Sequence, residues 1–249
     1  MSNRARVVGV RPLAASVFEY RLQLVEPPHL HFRAGQYLSL DCGLDAEGLP
    51  ARRAYSIASS PRDSSHVVIC ARLLEGGLGS SVLGRLRVGD ELDFTGPTGF
   101  FVLDERHAGD VVFGVTGTGI APVVPMLQEL LPRDEPGRVL VFWGLRAAGD
   151  IFYREEVDEL AARYPRLEVH VSLTHPGPEW RGERGRINAR VLAAVPELRA
   201  PVFYLVGNGA MIEEVRGALK QRGVGRRQIR TEAFFTPEPA PAWMWRGRA

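Results

Sequence analysis

The 249-residue sequence predicts two domains, an N-terminal antiparallel β-barrel and a C-terminal α/β domain built on a parallel sheet. Its length exceeds the roughly 100 to 150 residues that are commonest for one domain. Before residue 105 the chain consists of short alternating strands broken by Gly and Pro, and after it apolar strands alternate with helical segments. We therefore expect domains at 1–104 and 105–236, followed by a tail at 237–249.

The first part contains six segments of strand length with β-branched or aromatic content, separated by turn-forming sequences such as Glu-Pro-Pro at 26–28. The predicted strands cover residues 4–10, 17–24, 37–42, 54–58, 67–72 and 91–94. Six such strands suit an antiparallel barrel. One helix is predicted at about 80–86, with Gly79 and Ser80 at its N-terminal end.

The second part is a β-α-β series. Strands are predicted at 111–115, 139–143, 167–173, 202–206 and 229–234, and helices at 120–131, 154–163, 187–194 and 211–222. Apolar strands with little alternation indicate a parallel sheet covered on both faces, an architecture that binds nucleotides at the carboxyl ends of its strands. The tail begins with a Pro-rich segment that leads to Trp243, Met244 and Trp245.

Composition and charge exclude several classes of function. A formal net charge of +2 is too small to indicate nucleic acid or an anionic membrane as the main partner. Cys42 and Cys70 are the only cysteines and form no CxxC pair, so we expect buried thiols and no zinc site or cysteine-ligated cluster. His29 and His31 have no third metal ligand at a recognisable spacing.

The N-terminal segment lacks the apolar core of a signal peptide, and no apolar stretch approaches the roughly 20 residues of a membrane span. We therefore expect a cytoplasmic protein.

A glycine-rich turn follows the predicted strand 111–115 and opens the next helix, with the sequence Gly-Thr-Gly-Ile-Ala-Pro at 117–122. Small residues at such a position let backbone amides and the positive end of a helix approach phosphate. The sequence is not the GxGxxG fingerprint, and taken alone it is explained equally well as a plain connection between strand and helix.

Arg53, Tyr55 and Ser56 form a second candidate group, in the sequence Arg-Ala-Tyr-Ser at 53–56. Side chains two apart on a strand point to the same face, so Arg53 and Tyr55 are predicted to share one. A guanidinium can clamp a phosphate while a nearby ring lies against a planar ligand. The alternative is an exposed Arg beside a half-buried Tyr.

A third group, Gly-Gly-Leu-Gly-Ser-Ser at 76–81, enters the helix predicted in the first part and suits a pyrophosphate or a plain turn with a Ser cap. Together the motifs resemble the ferredoxin:NADP reductase superfamily of flavoenzymes, and the resemblance covers nearly the whole chain in order. Its further elements are Ala-Gly-Gln-Tyr at 34–37, Gly-Pro-Thr-Gly at 96–99, Gly-Leu-Arg at 144–146 and Gly-Asn-Gly-Ala-Met at 207–211.

The resemblance implies FAD in the barrel and NADH or NADPH in the parallel-sheet domain. It places Arg53 and Ser80 at the FAD phosphates, Tyr55 at the flavin ring, and Ser56 near the atom that receives hydride. Ser56, Tyr55 and Glu232 are the implied catalytic residues. The implied cofactor-binding residues are Arg53, Tyr55, Ser56, Gly77, Gly79, Ser80, Ser81, Thr116, Gly117, Thr118, Gly119, Pro122, Arg146, Gly207, Asn208, Met211 and Phe234.

Two departures from the family pattern bear on the reaction. Many relatives carry Cys where this chain has Val206. Relatives that use NADP tend to place Ser and Arg directly after the strand equivalent to 167–173 and a second Arg about ten residues later. Here that strand is followed by Thr-His-Pro at 174–176, and only Arg186 falls near the second position. We therefore expect NADH as the electron donor. NADPH stays an alternative, because Arg181, Arg184 and Arg186 on a flexible Gly-rich loop could converge on its 2′-phosphate.

The resemblance further implies a separate electron acceptor, because no ferredoxin or haem domain is fused to the chain. We expect a small acidic ferredoxin or flavodoxin, or an oxygenase system supplied by one. The candidate docking cations are Arg52, Arg62, Arg72, Arg85 and Arg87. A free-flavin or ferric reductase of the same fold, and a non-catalytic FAD-binding subunit, are the alternatives.

Overall fold

The computed structural model describes residues 2–134 and 137–235. The predicted tail, including Trp243 and Trp245, lies outside the described residues. Within them, no helix is long and apolar enough to cross a membrane.

The first half of the chain forms an antiparallel sheet of six strands in the order β4-β3-β6-β1-β2-β5. Its edges meet where Ile57 bridges Ile69, so the sheet closes and the predicted antiparallel barrel is confirmed. Residues that point inward along the alternating strands form its core. The elements are β1 (Asn3–Ala14), β2 (Val17–Glu26), β3 (Tyr37–Leu44), β4 (Pro50–Ser56), β5 (His66–Arg72), α1 (Leu78–Arg85) and β6 (Glu91–Thr98).

The second half forms a parallel sheet of six strands in the order β10-β9-β8-β7-β11-β12, as predicted for an α/β domain. Separate apolar clusters cover its two faces, which explains why its strands are hydrophobic without alternation. The elements are β7 (Val111–Thr116), α2 (Ile120–Leu130), β8 (Val139–Leu145), α3 (Arg154–Arg163), β9 (Leu167–Leu173), β10 (Glu183–Arg184), α4 (Asn188–Ala194), β11 (Val202–Asn208), α5 (Gly209–Gln221) and β12 (Ile229–Phe235).

The short strand β10 was not predicted, because two residues carry no periodicity. It pairs with β9 in parallel. The amide of Gly185 donates to the carbonyl of Leu173 at 2.8 Å, and Ser172 Oγ donates to the carbonyl of Gly185 at 2.7 Å. The segment 181–186, predicted as a flexible loop, is therefore anchored to β9 at Gly185. The backbone of Arg186 follows directly after this anchor, beside the carboxyl end of β9.

The two sheets are joined through shared apolar packing. Ala34 and Phe101, from the barrel half, lie in the same buried cluster as Met126 of α2. Gly35 has φ of +96°, and a Cβ there would overlap the carbonyl oxygen of Phe101, so this contact requires glycine. The proposed domain boundary after residue 104 falls in the segment 99–110 between the sheets. Cys42 and Cys70 are buried free thiols, as expected.

Candidate active site between the barrel and the parallel sheet

Two neighbouring cavities lie where the barrel meets the carboxyl ends of the parallel strands. The first, of about 400 Å³, is lined mainly by β4, β5, the start of α1 and the end of β12. The second, of about 420 Å³, is lined by the turns after β7, β8, β9 and β11. Arg72, Thr118 and Phe234 line both, so the two cavities adjoin at these side chains.

Arg53 and Tyr55 lie on one face of β4, as their spacing predicts, and both contact Gly79 at the start of α1. A Cβ on Gly79 would lie 2.3 Å from Tyr55 Oη and 3.0 Å from Arg53 Cγ, so only glycine lets the helix approach this closely. Arg53 is exposed, donates to the carbonyl of Arg52 at 2.8 Å, and has no carboxylate partner in residues 2–134 and 137–235. Its guanidinium is available to a phosphate.

The N-terminal end of α1 fits an anion. Gly77 occupies the N-cap position, no side chain caps the helix, and its first turn carries no acidic residue. Ser80 Oγ accepts a hydrogen bond from the amide of Leu74 at 2.8 Å, which holds the preceding turn in place. The free amides, the positive helix end and Arg53 together match the chemistry of a pyrophosphate.

Ser56 and Glu232 join the two halves of the chain at the first cavity. Ser56 is buried at the end of β4, and its Oγ donates to Glu232 Oε1 of β12 at 2.8 Å. Burial raises the pKa of Glu232 to about 7, against a lowering by the hydrogen bond from Ser56. Near neutral pH this carboxyl therefore exchanges a proton readily. Burial also raises the pKa of Tyr55 to about 12, which keeps the phenol neutral.

The second cavity is shaped by two strand ends that hold each other. The amide of Asn208 donates to Thr116 Oγ1 at 2.7 Å, and Asn208 Oδ1 caps α5 by accepting from the amide of Met211 at 3.1 Å. A Cβ on Gly207, which has φ of +114°, would overlap Thr116 Oγ1. Gly117 accepts a hydrogen bond from Trp143 Nε1 at 3.1 Å. These contacts leave an open space above the sheet.

Asn188 was missed by the sequence analysis. It lines the second cavity at the start of α4, and only 5% of its surface is exposed. Within residues 2–134 and 137–235, its Nδ2 has no hydrogen-bond partner. A buried amide without a partner is costly, so an unsatisfied donor on a residue that lines a cavity is consistent with a site for a polar ligand such as a nucleotide. A lone Asn within an Arg-rich segment carries no sequence signal that identifies this role.

Most of the predicted site residues line one of the two cavities, where their roles remain a proposal. Those at the first cavity are Arg53, Tyr55, Ser56, Gly77, Gly79, Ser80, Thr118, Glu232 and Phe234. Those at the second are Thr116, Gly117, Thr118, Arg146, Gly207, Asn208, Met211 and Phe234. Ser81 lies in an adjoining depression that is continuous with the first cavity through Arg53 and Ser80.

Two other predicted site residues, Gly119 and Pro122, lie outside both cavities. Gly119 and Pro122 are buried at the start of α2, and a Cβ on Gly119 would press on the carbonyl of Val206. Val206 is fully buried behind that glycine, beside Glu232 in the strand register. Gly119 therefore shapes the glycine-rich turn through its close packing against Val206, and it lines neither cavity.

Two of the expected docking cations, Arg72 and Arg62, line cavities of the structure. Arg72 lines both cavities and approaches Asp150 at 3.5 Å. Arg62 lies at a different cavity, lined among others by Phe32 and Glu129.

Comparison with known proteins agrees with this geometry. Residues 4–103 match the oxidoreductase FAD-binding domain, and residues 115–217 match the oxidoreductase NAD-binding domain. Ferredoxin–NADP reductase B of Sorangium cellulosum (strain So ce56) is 34% identical over 237 residues, covering 92% of this chain and 96% of that protein. The chain belongs to the ferredoxin reductase family. It is thus an oxidoreductase that binds FAD and a nicotinamide nucleotide, as predicted.

Other members of the ferredoxin reductase family are longer. The reductase component of phenol 2-monooxygenase from Pseudomonas sp. (strain CF600) is 30% identical, covering 94% of this chain and 65% of its own length. The crystal structure of the Amycolatopsis cytochrome P450 reductase GcoB is 30% identical, with a TM-score of 0.83, covering 94% of this chain and 70% of its own. The chain spans about two thirds of these two relatives.

Proposed function

We propose that the chain oxidises NADH or NADPH and passes the electrons one at a time to a separate ferredoxin or flavodoxin. The observation that carries this proposal is the sharing of Arg72, Thr118 and Phe234 by the two cavities. FAD, when bound, accepts electrons as a hydride and releases them singly. Hydride transfer requires two rings in contact, and adjoining cavities provide that contact.

The side chains of the site have separate tasks in this proposal. Arg53 and the N-terminal amides of α1 would hold the FAD phosphates, and Tyr55 would lie along the ring. Ser56 would place its hydroxyl near the atom that receives hydride, and Glu232 orients that hydroxyl by accepting its hydrogen bond at 2.8 Å. With a pKa of about 7, Glu232 can take up or release a proton at that hydroxyl as the charge of the site changes.

The names of the relatives support the choice of acceptor. The Sorangium relative, which matches over nearly its whole length, is named for ferredoxin and NADP. The phenol 2-monooxygenase and cytochrome P450 relatives are named as reductases of oxygenase systems. The candidate docking cations for an acidic carrier are Arg52, Arg62, Arg72, Arg85 and Arg87. Arg52 lies on β4 and Arg85 ends α1, and both of these elements line the first cavity.

Rapid-mixing kinetics with the FAD-loaded protein test this function. We expect NADH or NADPH to bleach the flavin, and an acidic ferredoxin to be reduced at a rate that falls as salt rises. Reduction of ferricyanide or free FMN is the matched control and should depend less on salt. Preference for free flavin or ferric iron, without turnover of any carrier protein, would make the chain a flavin or ferric reductase instead.

A further inference from the structure

We propose that Glu214 makes this chain prefer NADH by pairing with Arg186 and so withholding that cation from the 2′-phosphate of NADPH. Arg186 lines the second cavity, which is called the nucleotide cavity from here on. Glu214 lies on α5, and its Oε2 is 2.6 Å from Arg186 Nη2. This inference rests on the proposed function. It concerns a residue that no motif singled out.

The cavity has two ends with different neighbours. Thr118 and Phe234, at one end, also line the first cavity, which is called the flavin cavity from here on. The nicotinamide ring must therefore lie at this end of the nucleotide cavity. In the sheet, β9 lies two strands away from β7, a distance of about 10 Å at the usual spacing between strands. The adenosine ribose therefore falls at the end lined by Thr174 and Arg186, which follow β9 and β10.

Polar groups at the adenosine end are already engaged. Thr174 Oγ1 donates to the carbonyl of Leu145 at 3.4 Å, and Arg186 is paired with Glu214. The hydrogen bonds between β9 and Gly185 anchor the backbone just before Arg186 and limit its reach. A 2′-phosphate carries nearly two negative charges, so the Glu214 carboxylate beside it would repel it. A ribose hydroxyl can instead donate to that carboxylate, as in many NAD sites.

Other cations of this cavity do not distinguish the coenzymes. Arg146 follows β8, between β7 and β9, and has no side-chain partner in the part of the chain that the structure describes. That middle position suits the pyrophosphate, which NADH and NADPH share. Arg72 lies at the flavin end and approaches Asp150. Discrimination at the 2′ position is therefore assigned to the pair of Arg186 and Glu214.

The test compares Glu214→Gln with Glu213→Gln in the FAD-loaded protein. Glu213 is the matched control, because its side chain is 66% exposed against 51% for Glu214, and it pairs with Arg216 within the same helix. Isothermal titration calorimetry with 2′,5′-ADP and 5′-AMP measures the effect of the 2′-phosphate without turnover. The ratio of kcat/KM for NADPH to that for NADH measures it during flavin reduction.

We expect Glu214→Gln to tighten 2′,5′-ADP about tenfold, the scale of one charge acting on a dianion near a protein surface, and to change 5′-AMP less than about threefold. The kcat/KM ratio should shift towards NADPH by a similar factor, and the shift should shrink at high salt. Glu213→Gln should change neither quantity.

An unchanged 2′,5′-ADP affinity in Glu214→Gln, or an equal change in Glu213→Gln, would overturn the assignment. A wild-type protein that prefers NADPH tenfold or more would overturn it as well. Failure of the proposed function has a different signature, since neither nucleotide would then reduce the flavin, whatever the calorimetry shows.

Discussion

Apart from the groups proposed to bind phosphate, the two cavities differ in whether their polar side chains have hydrogen-bond partners. In the flavin cavity, Ser56 donates to Glu232 and Ser80 accepts from Leu74, so the protein supplies partners of its own. In the nucleotide cavity, Asn188 Nδ2 is buried without a partner among the described residues. A satisfied cavity keeps its shape without ligand, whereas an unsatisfied one gains free energy when a ligand supplies the missing bond. The first arrangement suits a resident cofactor and the second a ligand that comes and goes.

Gly79→Ala should produce the largest effect, because it breaks the closest contact of the flavin cavity. The added Cβ would overlap Tyr55 Oη and press on Arg53, so α1 must move away from both. Overpacking of this kind costs about 1 to 3 kcal/mol, and we expect FAD affinity to fall by roughly five- to hundredfold. Fluorescence titration of the flavin-free protein with FAD measures the loss.

Gly84→Ala, in the same helix, is the matched control. A Cβ at Gly84 meets only Leu73 Cδ1 at 3.7 Å, an ordinary contact. This variant should bind FAD as wild type does and gain about 0.5 to 1 kcal/mol of stability from the better helix former. Equal FAD affinities in the two variants would show that α1 does not contact the cofactor.

Glu232→Gln should produce a pH-dependent effect of intermediate size in the flavin-free protein. The pKa of Glu232 is raised from 4.5 to about 7 by burial. Its contribution to stability is therefore complete below about pH 4.5 and is lost as pH rises through about 7. The Gln variant lacks this loss, so at pH 8.5 its free energy of unfolding should exceed that of wild type by on the order of 1 to 3 kcal/mol. Urea unfolding at pH 5 and 8.5 gives the difference.

Ser56→Ala provides a second test of the pH dependence of stability measured by urea unfolding. The hydrogen bond from Ser56 lowers the pKa of Glu232, so its removal should move the transition to higher pH. A transition that does not move, or an identical pH profile for Glu232→Gln and wild type, would mean that Glu232 is not buried at this junction in solution.

Asn188→Ala should produce the smallest effect, confined to the nucleotide cavity. Removing the unpartnered amide should leave the stability of the free protein unchanged or higher, while the Kd of the nucleotide rises about two- to tenfold, the value of one hydrogen bond. Asn208→Ala is the contrast, because Asn208 caps α5 and its loss should cost about 1 kcal/mol of stability. Thermal unfolding with and without nucleotide separates the two. A stability loss in Asn188→Ala equal to that in Asn208→Ala would remove the contrast between the cavities.

Local patterns determined the fold class and most of the candidate site. Alternation in the first half and apolar strands with intervening helices in the second predicted the two sheets, because burial on one face or on both leaves a direct trace in the sequence. The glycine-rich turns at 76–81, 117–122 and 207–211 predicted where phosphate-binding turns would lie, since turn chemistry is local. The two-residue strand β10 left no such trace.

Tertiary structure alone decided which of these groups meet. Ser56 and Glu232 are 176 residues apart, and only the junction of the barrel with β12 places them 2.8 Å apart and shifts the pKa of the carboxyl. In the same way, only the packing of α4 against α5 brings Arg186, just before α4, to Glu214 on α5. Contacts between distant segments depend on how two sheets and their helices pack, and no pattern within either segment encodes its partner. The sequence thus determined the chemical groups, and the packing determined which of them act together.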